Sequence, residues 1–257
     1  MSVKIWSLVV YVSMPVWAWA QPLQFVSSAR SADTAGRGQT TAVANASATA
    51  DISLADRRVL PLFGELPKTT AQLDEEIKFL MDCDQSFTSR NEASDFFAAR
   101  GWDYLNGGQL DTAAHRFNLA WLLNDRNAES YWGLGVICYQ HNKLPDAVRV
   151  LRKGLAVADT NVVLMTDLAT VQIKQFQLNQ DTTALEEANT LLSRANALSP
   201  KSATILLKLS LSRFAHADYA GAWDFFHQAH IIDISTIDVL YLSELQAKLA
   251  DPKGIFK

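Results

Sequence analysis

Residues 94–159 carry one pattern twice at a fixed displacement of 34 positions: Gly101 returns as Gly135, Leu110 as Leu144, Ala113 as Ala147, Phe117 as Leu151 and Ala120 as Gly154. A period of that length in helix-forming sequence describes stacked helical hairpins, because one hairpin leaves an apolar face that only a neighbouring hairpin covers.

Each copy has two halves. Phe97-x2-Arg100-Gly101-x2-Tyr104 opens the first copy and Tyr131-x2-Leu134-Gly135-x2-Cys138 the second. A glycine inside a helix is about 1 kcal/mol worse than alanine, so its presence points to close approach of the partner helix. The other half pairs a small residue with a large one four positions on, Ala113 with Phe117 and Ala147 with Leu151. Residues four apart share a helix face, so the small one admits the neighbouring backbone and the large one fills the space beyond. Turn formers separate the halves, Asn106-Gly107-Gly108 and His141-Asn142-Lys143.

This alternation resembles the tetratricopeptide repeat, whose helix pairs follow W-x2-L-G-x2-Y, then A-x3-F, then P. Ala188, Leu192, Ala195 and Pro200 continue the series at a displacement of 75 from the first copy, and Ala222, Phe226 and Ala229 follow 34 later. The resemblance implies an all-α fold, a right-handed α-solenoid of about four hairpins at 94–127, 128–161, 162–202 and 203–235. The third unit is about seven residues longer than the others, and the turn at 176–183 is where the surplus is expected. An N-terminal arm and helix at 59–93 and a C-terminal capping helix and tail at 236–257 would flank the repeats, since an open-ended array needs its last face covered.

Residues 1–20 hold one cation, Lys4, an apolar run at 5–16 and the small-x-small triplet Ala18-Trp19-Ala20. The run is short for a bilayer span, and the pattern predicts a signal peptide cut after Ala20. The mature chain is then expected to be periplasmic or secreted, with no membrane anchor after cleavage. Residues 21–58 are rich in Ala, Ser and Thr and poor in large apolar side chains, a composition expected to form a disordered tether. Thr69-x-x-Gln72 and Ser89-x-x-Glu92 are capping-box signatures, and Leu73, Ile77, Leu80 and Met81 give the helix between them an apolar stripe. Leu240, Leu245 and Leu249 mark the amphipathic face of the C-terminal cap.

Net charge is −4 and there is no basic stripe, which argues against nucleic acid as a partner. The chain has no Gly-rich phosphate loop, nucleophile elbow or His-Glu-x-x-His motif. His227 and His230, three apart, lack a third ligand at suitable spacing. No cofactor, metal or catalytic residue is therefore expected, and the chain is not read as an enzyme. Cys83 and Cys138 admit either a disulfide in an oxidising compartment or two buried free thiols.

In tetratricopeptide proteins the first helix of each hairpin lines an inner groove that holds a protein or peptide. Carried over position by position, the resemblance puts Asp95, Ala98, Trp102 and Leu105 on that stripe, then Glu129, Trp132, Val136 and Tyr139. Val163, Thr166, Thr170 and Ile173 follow, then Thr204, Leu207, Leu211 and Phe214. Asp95, Trp102, Glu129, Trp132, Val136, Tyr139 and Phe214 are the candidate partner contacts. Aromatic side chains anchor interfaces, and the two carboxylates would select a basic residue. The competing arrangement folds the arm at 61–66 into the groove. The resemblance implies a protein-binding or peptide-binding scaffold in a bacterial envelope-associated complex. A periplasmic chaperone-like holder of unfolded chains is the alternative, and an enzyme or small-ligand binder on the same scaffold a third reading. Self-association into a homo-oligomer stays open.

Overall fold

The computed structural model of this protein describes residues 54–236 and 238–256. The expected signal peptide at 1–20 and most of the expected tether lie outside the described residues. Among the described residues eleven α-helices follow one another: α1 Leu54–Val59, α2 Thr70–Ser86, α3 Arg90–Asn106, α4 Leu110–Leu123, α5 Ala128–Gln140, α6 Leu144–Val157, α7 Val162–Asn179, α8 Thr182–Leu198, α9 Ala203–Ala215, α10 Tyr219–Ile232 and α11 Val239–Lys248. A short 3-10 turn, Pro61–Glu65, separates α1 from α2. Among the described residues there is no strand, and the all-α solenoid expectation holds. Two expected boundaries need correction. The tether drawn through residue 58 overlaps α1, and the first repeat starts inside α3, which Ser89 caps by accepting the Glu92 amide.

The helices pair as hairpins, α3 with α4, α5 with α6, α7 with α8 and α9 with α10. Side-chain caps start each first helix. Asn127 accepts the Glu129 amide, Asn161 those of Val163 and Leu164, and Ser202 that of Ile205. Each cap satisfies a donor the helix itself cannot use. The intervening turns are one device built from three different residues. Gly108, Asn142 and Ala217 all take left-handed backbone, at φ 73°, 57° and 60°. In each turn the next residue's amide closes on a carbonyl 2.9 Å away: Gln109 on Tyr104, Lys143 on Cys138, Asp218 on Arg213. The third hairpin departs from this. Its surplus residues lengthen both helices instead of the turn, which shrinks to Gln180, left-handed at φ 58°, and Asp181.

The helix glycines are explained by contact. A Cβ on Gly101 would stand 2.6 Å from the Phe117 ring, and one on Gly135 2.5 Å from Leu151. Gly133, which the repeat pattern does not mark, would meet Phe117 at 2.2 Å. Phe117 thus plugs between the first helices of two successive hairpins, fully buried with Ala113, Tyr131 and Leu134. Leu151 does the same one hairpin on, with Ala147, Leu164 and Leu168. Ala188 and Leu192 pack with Met165 and Ile205, and Ala222 and Phe226 with Trp223, Tyr241 and Leu245. Ala120 is fully buried, Tyr104 packs at the edge of the first core, and Pro200 sits exposed in the turn between α8 and α9.

Curvature follows from which helices touch. α3 packs on α5, α5 on α7 and α7 on α9, whereas no comparable packing joins α4 to α6 or α6 to α8. The first helices therefore form a close inner row and the second helices a splayed outer one.

The arm takes the outer side. Leu62 is buried in the first core, its amide donating to Asn118 Oδ1 at 2.8 Å, while Asn118 Nδ2 donates to the carbonyls of Arg58 and Leu60. Phe63 packs against Trp121, and Glu65 pairs with Arg149 and Lys153 of α6. Leu62, Phe63 and Glu65 all have positive φ, strain that these contacts must outweigh. In α2 the expected apolar stripe largely faces solvent: Leu73, Ile77 and Met81 are exposed, and the helix packs through Phe79, Leu80 and Cys83. In α11 the buried face is Tyr241 and Leu245, four apart, and Leu240 and Leu249 point outward.

Candidate protein-binding groove

The inner row brings two tryptophans together. Trp102 of α3 and Trp132 of α5 lie half-buried with ring centroids 4.3 Å apart, and Trp102 stands edge-on to the buried Phe117 at 5.1 Å. Each indole N–H reaches the next helix along the row. Trp102 donates to Glu129 at 2.8 Å and Trp132 to Asp167 at 2.6 Å. The pair is therefore held rigidly, with its polar edges already used. Tyr139 remains exposed on the same stripe, and Val163 lies exposed at the start of α7.

Asp167 and Lys208 define the electrostatics of the row. Burial pushes the Asp167 carboxyl above its ordinary range, opposed by the Trp132 hydrogen bond and the attraction of Lys208. Burial likewise pulls the Lys208 ammonium down, opposed by Asp167 and Asp238. Both side chains keep some solvent exposure. Heavy desolvation combined with open access is what a charge on the floor of a concave surface experiences. Tyr139 feels the same place: burial, then the Asp167 charge, raise its phenol.

Several expected contacts turn out otherwise. Phe214 is half-buried, as the two tryptophans are: its ring packs against Tyr219 of α10 at 5.4 Å and Tyr241 of α11 at 5.7 Å. Val136 is half-buried against the first core. Ala98, Leu105, Thr166 and Ile173 are buried, since a stripe drawn every three or four residues along these helices straddles the core boundary. Glu129 is committed to Trp102, and Asp95, though exposed, accepts from Asn127 at 3.1 Å. Neither is a free selector of basic residues. The arm does not enter the groove; it lies on the outer helices as described above.

Asp167 and Lys208 were missed in the repeat pattern. Their signal was a single charge inside an apolar helical run, Leu164-Met165-Thr166-Asp167-Leu168 and Leu206-Leu207-Lys208-Leu209. Cys83 and Cys138 are both free, in separate clusters, and burial pushes the Cys138 thiol up to about 12. The His227 ring lies near-parallel to those of Trp223 and Phe256, at 5.2 and 6.0 Å, with Asp251 Oδ1 2.9 Å from its Nε2 but not aligned for a hydrogen bond. Among the described residues no group of three His, Cys, Asp or Glu is placed to hold a metal, and no helix is long and apolar enough to cross a membrane.

Solved structures share this architecture. Pseudomonas aeruginosa PilF superposes with a TM-score of 0.54 at 22% identity, over 62% of this chain and 70% of that one. PilW, a widely conserved type IV pilus biogenesis factor, gives 0.54 at 16% identity over 72% and 81%. A thermophilic TPR protein of Thermus thermophilus, TTC0263, gives 0.52 at 19% identity over 63% and 90%. No family model matches the sequence, and neither does any curated protein. The chain has the tetratricopeptide-repeat fold.

Proposed function

We propose that this protein is an exported scaffold that holds a protein or peptide segment along the inner row of α3, α5, α7 and α9, within a bacterial envelope-associated complex. The observation that carries the reading is the Trp102–Trp132 pair, two large aromatics fixed by hydrogen bonds beside the exposed Tyr139. Rigid aromatics bury apolar area on binding while losing little conformational freedom. The signal-like segment at 1–20 supports export. PilW, of the same fold, is a pilus biogenesis factor, the kind of assembly task assigned here.

Because both tryptophans also pack against the core, the test uses the exposed positions. Tagged wild type and a Tyr139→Ala, Val163→Ser variant are captured from envelope extract. One stoichiometric partner lost in the variant supports the proposal; a partner retained by the variant contradicts the groove assignment. Many unfolded clients in place of one partner would favour the chaperone-like holder. Osmotic-shock fractionation tests export, and retention in the cytoplasm would contradict it.

A further inference from the structure

A cavity of about 460 Å³ lies between α2 and α4, with Phe97 of α3 and the arm contributing to its wall. Its apolar surface comes from Phe63, Phe79, Phe97, Leu119 and Leu122. The charges on the wall do not cancel. Glu75 is engaged by Arg58 at 3.4 Å, and Glu76 by Lys68. Arg57 donates only to neutral acceptors, the carbonyls of Leu66 and Pro67 and the Gln72 amide oxygen, at 2.7 to 2.9 Å. The Arg116 guanidinium lies over Phe97 and Tyr104, 6.0 and 5.8 Å from their centroids, and makes no ion pair among the described residues. Arg57, Arg116 and Lys78 thus face one uncompensated carboxylate, Asp82, in a chain whose net charge is −4. His115, on the same wall, adds no charge at neutral pH, because burial, then Arg116 and Arg58, hold it down to about 4.

We propose that this cavity is a second binding site, for a small apolar carboxylate whose body lies on Phe63, Phe79 and Leu119 and whose head group meets Arg116. Small-ligand sites are concave, mostly apolar and oriented by few polar groups, and this volume falls within their usual span of about 300–1,000 Å³. A guanidinium held over rings without an ion-pair partner keeps N–H donors free, and those donors match a carboxylate in bidentate geometry. The same chemistry is offered by a free fatty acid and by the apolar C-terminal residue of a peptide.

The full chain is titrated calorimetrically with decanoate, with decyltrimethylammonium as the charge-reversed control, and with N-acetyl-leucyl-phenylalanine as acid and as amide. Saturable binding of at least one acid is expected, with no binding of the ammonium or the amide. The tighter acid identifies the source. Arg116→Gln should weaken it by about tenfold or more, and Arg116→Lys by less. Leu122→Trp, which fills the cavity from its apolar side, should abolish it while thermal unfolding remains cooperative. Failure of both acids to bind overturns the proposal. So does equal binding of the ammonium, or an Arg116→Gln variant that binds as wild type.

Discussion

Trp132 and Asp167 meet across α5 and α7 at 2.6 Å, an indole N–H donated to a carboxylate that burial has pushed above its ordinary range. An acid whose folded pKa exceeds its unfolded value binds more protons folded than unfolded. It therefore subtracts stability at neutral pH, and the penalty is relieved as pH falls through the raised value towards 3.8. Asp167→Asn keeps an acceptor for Trp132 and removes the charge. Calorimetry should find it more stable than wild type at pH 7, with the difference shrinking as pH is lowered. An Asn variant less stable than wild type at neutral pH would contradict this.

Phe117 sits against two glycines at once, so Gly101→Ala and Gly133→Ala should each destabilise by about 1–3 kcal/mol, with Gly133 the worse. Combining Gly133→Ala with Phe117→Leu should cost less than the sum of the single changes, because the smaller side chain vacates the space the new methyl needs. Urea denaturation of the four proteins measures the coupling. Strict additivity would mean that the ring is not the obstacle.

Ala217 holds left-handed backbone at φ 60°, where Gly108 stands in the first hairpin. Ala217→Gly should raise stability by about 0.5–1 kcal/mol, the relief of a Cβ clash less the added freedom of the unfolded chain. Thermal unfolding reads the change directly. A loss of stability would show that the turn does not hold Ala217 in this conformation.

Asn118 makes three hydrogen bonds to the backbone of the arm. Asn118→Ala strands a buried amide and two carbonyls and should cost about 2–3 kcal/mol. It should also render the 60–68 stretch sensitive to limited proteolysis while α3 to α10 stay protected. Uniform protection would place the arm's anchorage elsewhere.

The hairpins were readable because their cause is local and repeated. A glycine against a bulky side chain, a small residue four before a large one and a left-handed turn residue recur at fixed spacing, each with its physical reason in a few neighbouring positions. The surplus of the third hairpin, expected in its turn, lies in its helices, because Gln180 ends α7 in left-handed backbone that no glycine announced. The groove was harder to read. Register puts Phe214 on the inner stripe, but only packing across the chain sets its ring against Tyr241 of α11. Asp167 and Lys208 belong to different hairpins, and their mutual influence arises only once α7 and α9 lie side by side. The Asn118 anchor joins residues about sixty apart in sequence, outside any repeat logic.

Site-specific photo-crosslinking locates a bound partner on the inner or the outer row. A benzoylphenylalanine at Tyr139, on the inner row, is compared in envelope extract with one at Arg152, exposed on α6 of the outer row. One discrete adduct is expected from position 139 and none from position 152. An adduct formed equally from 152, or from 152 alone, would contradict a partner held on the inner helices.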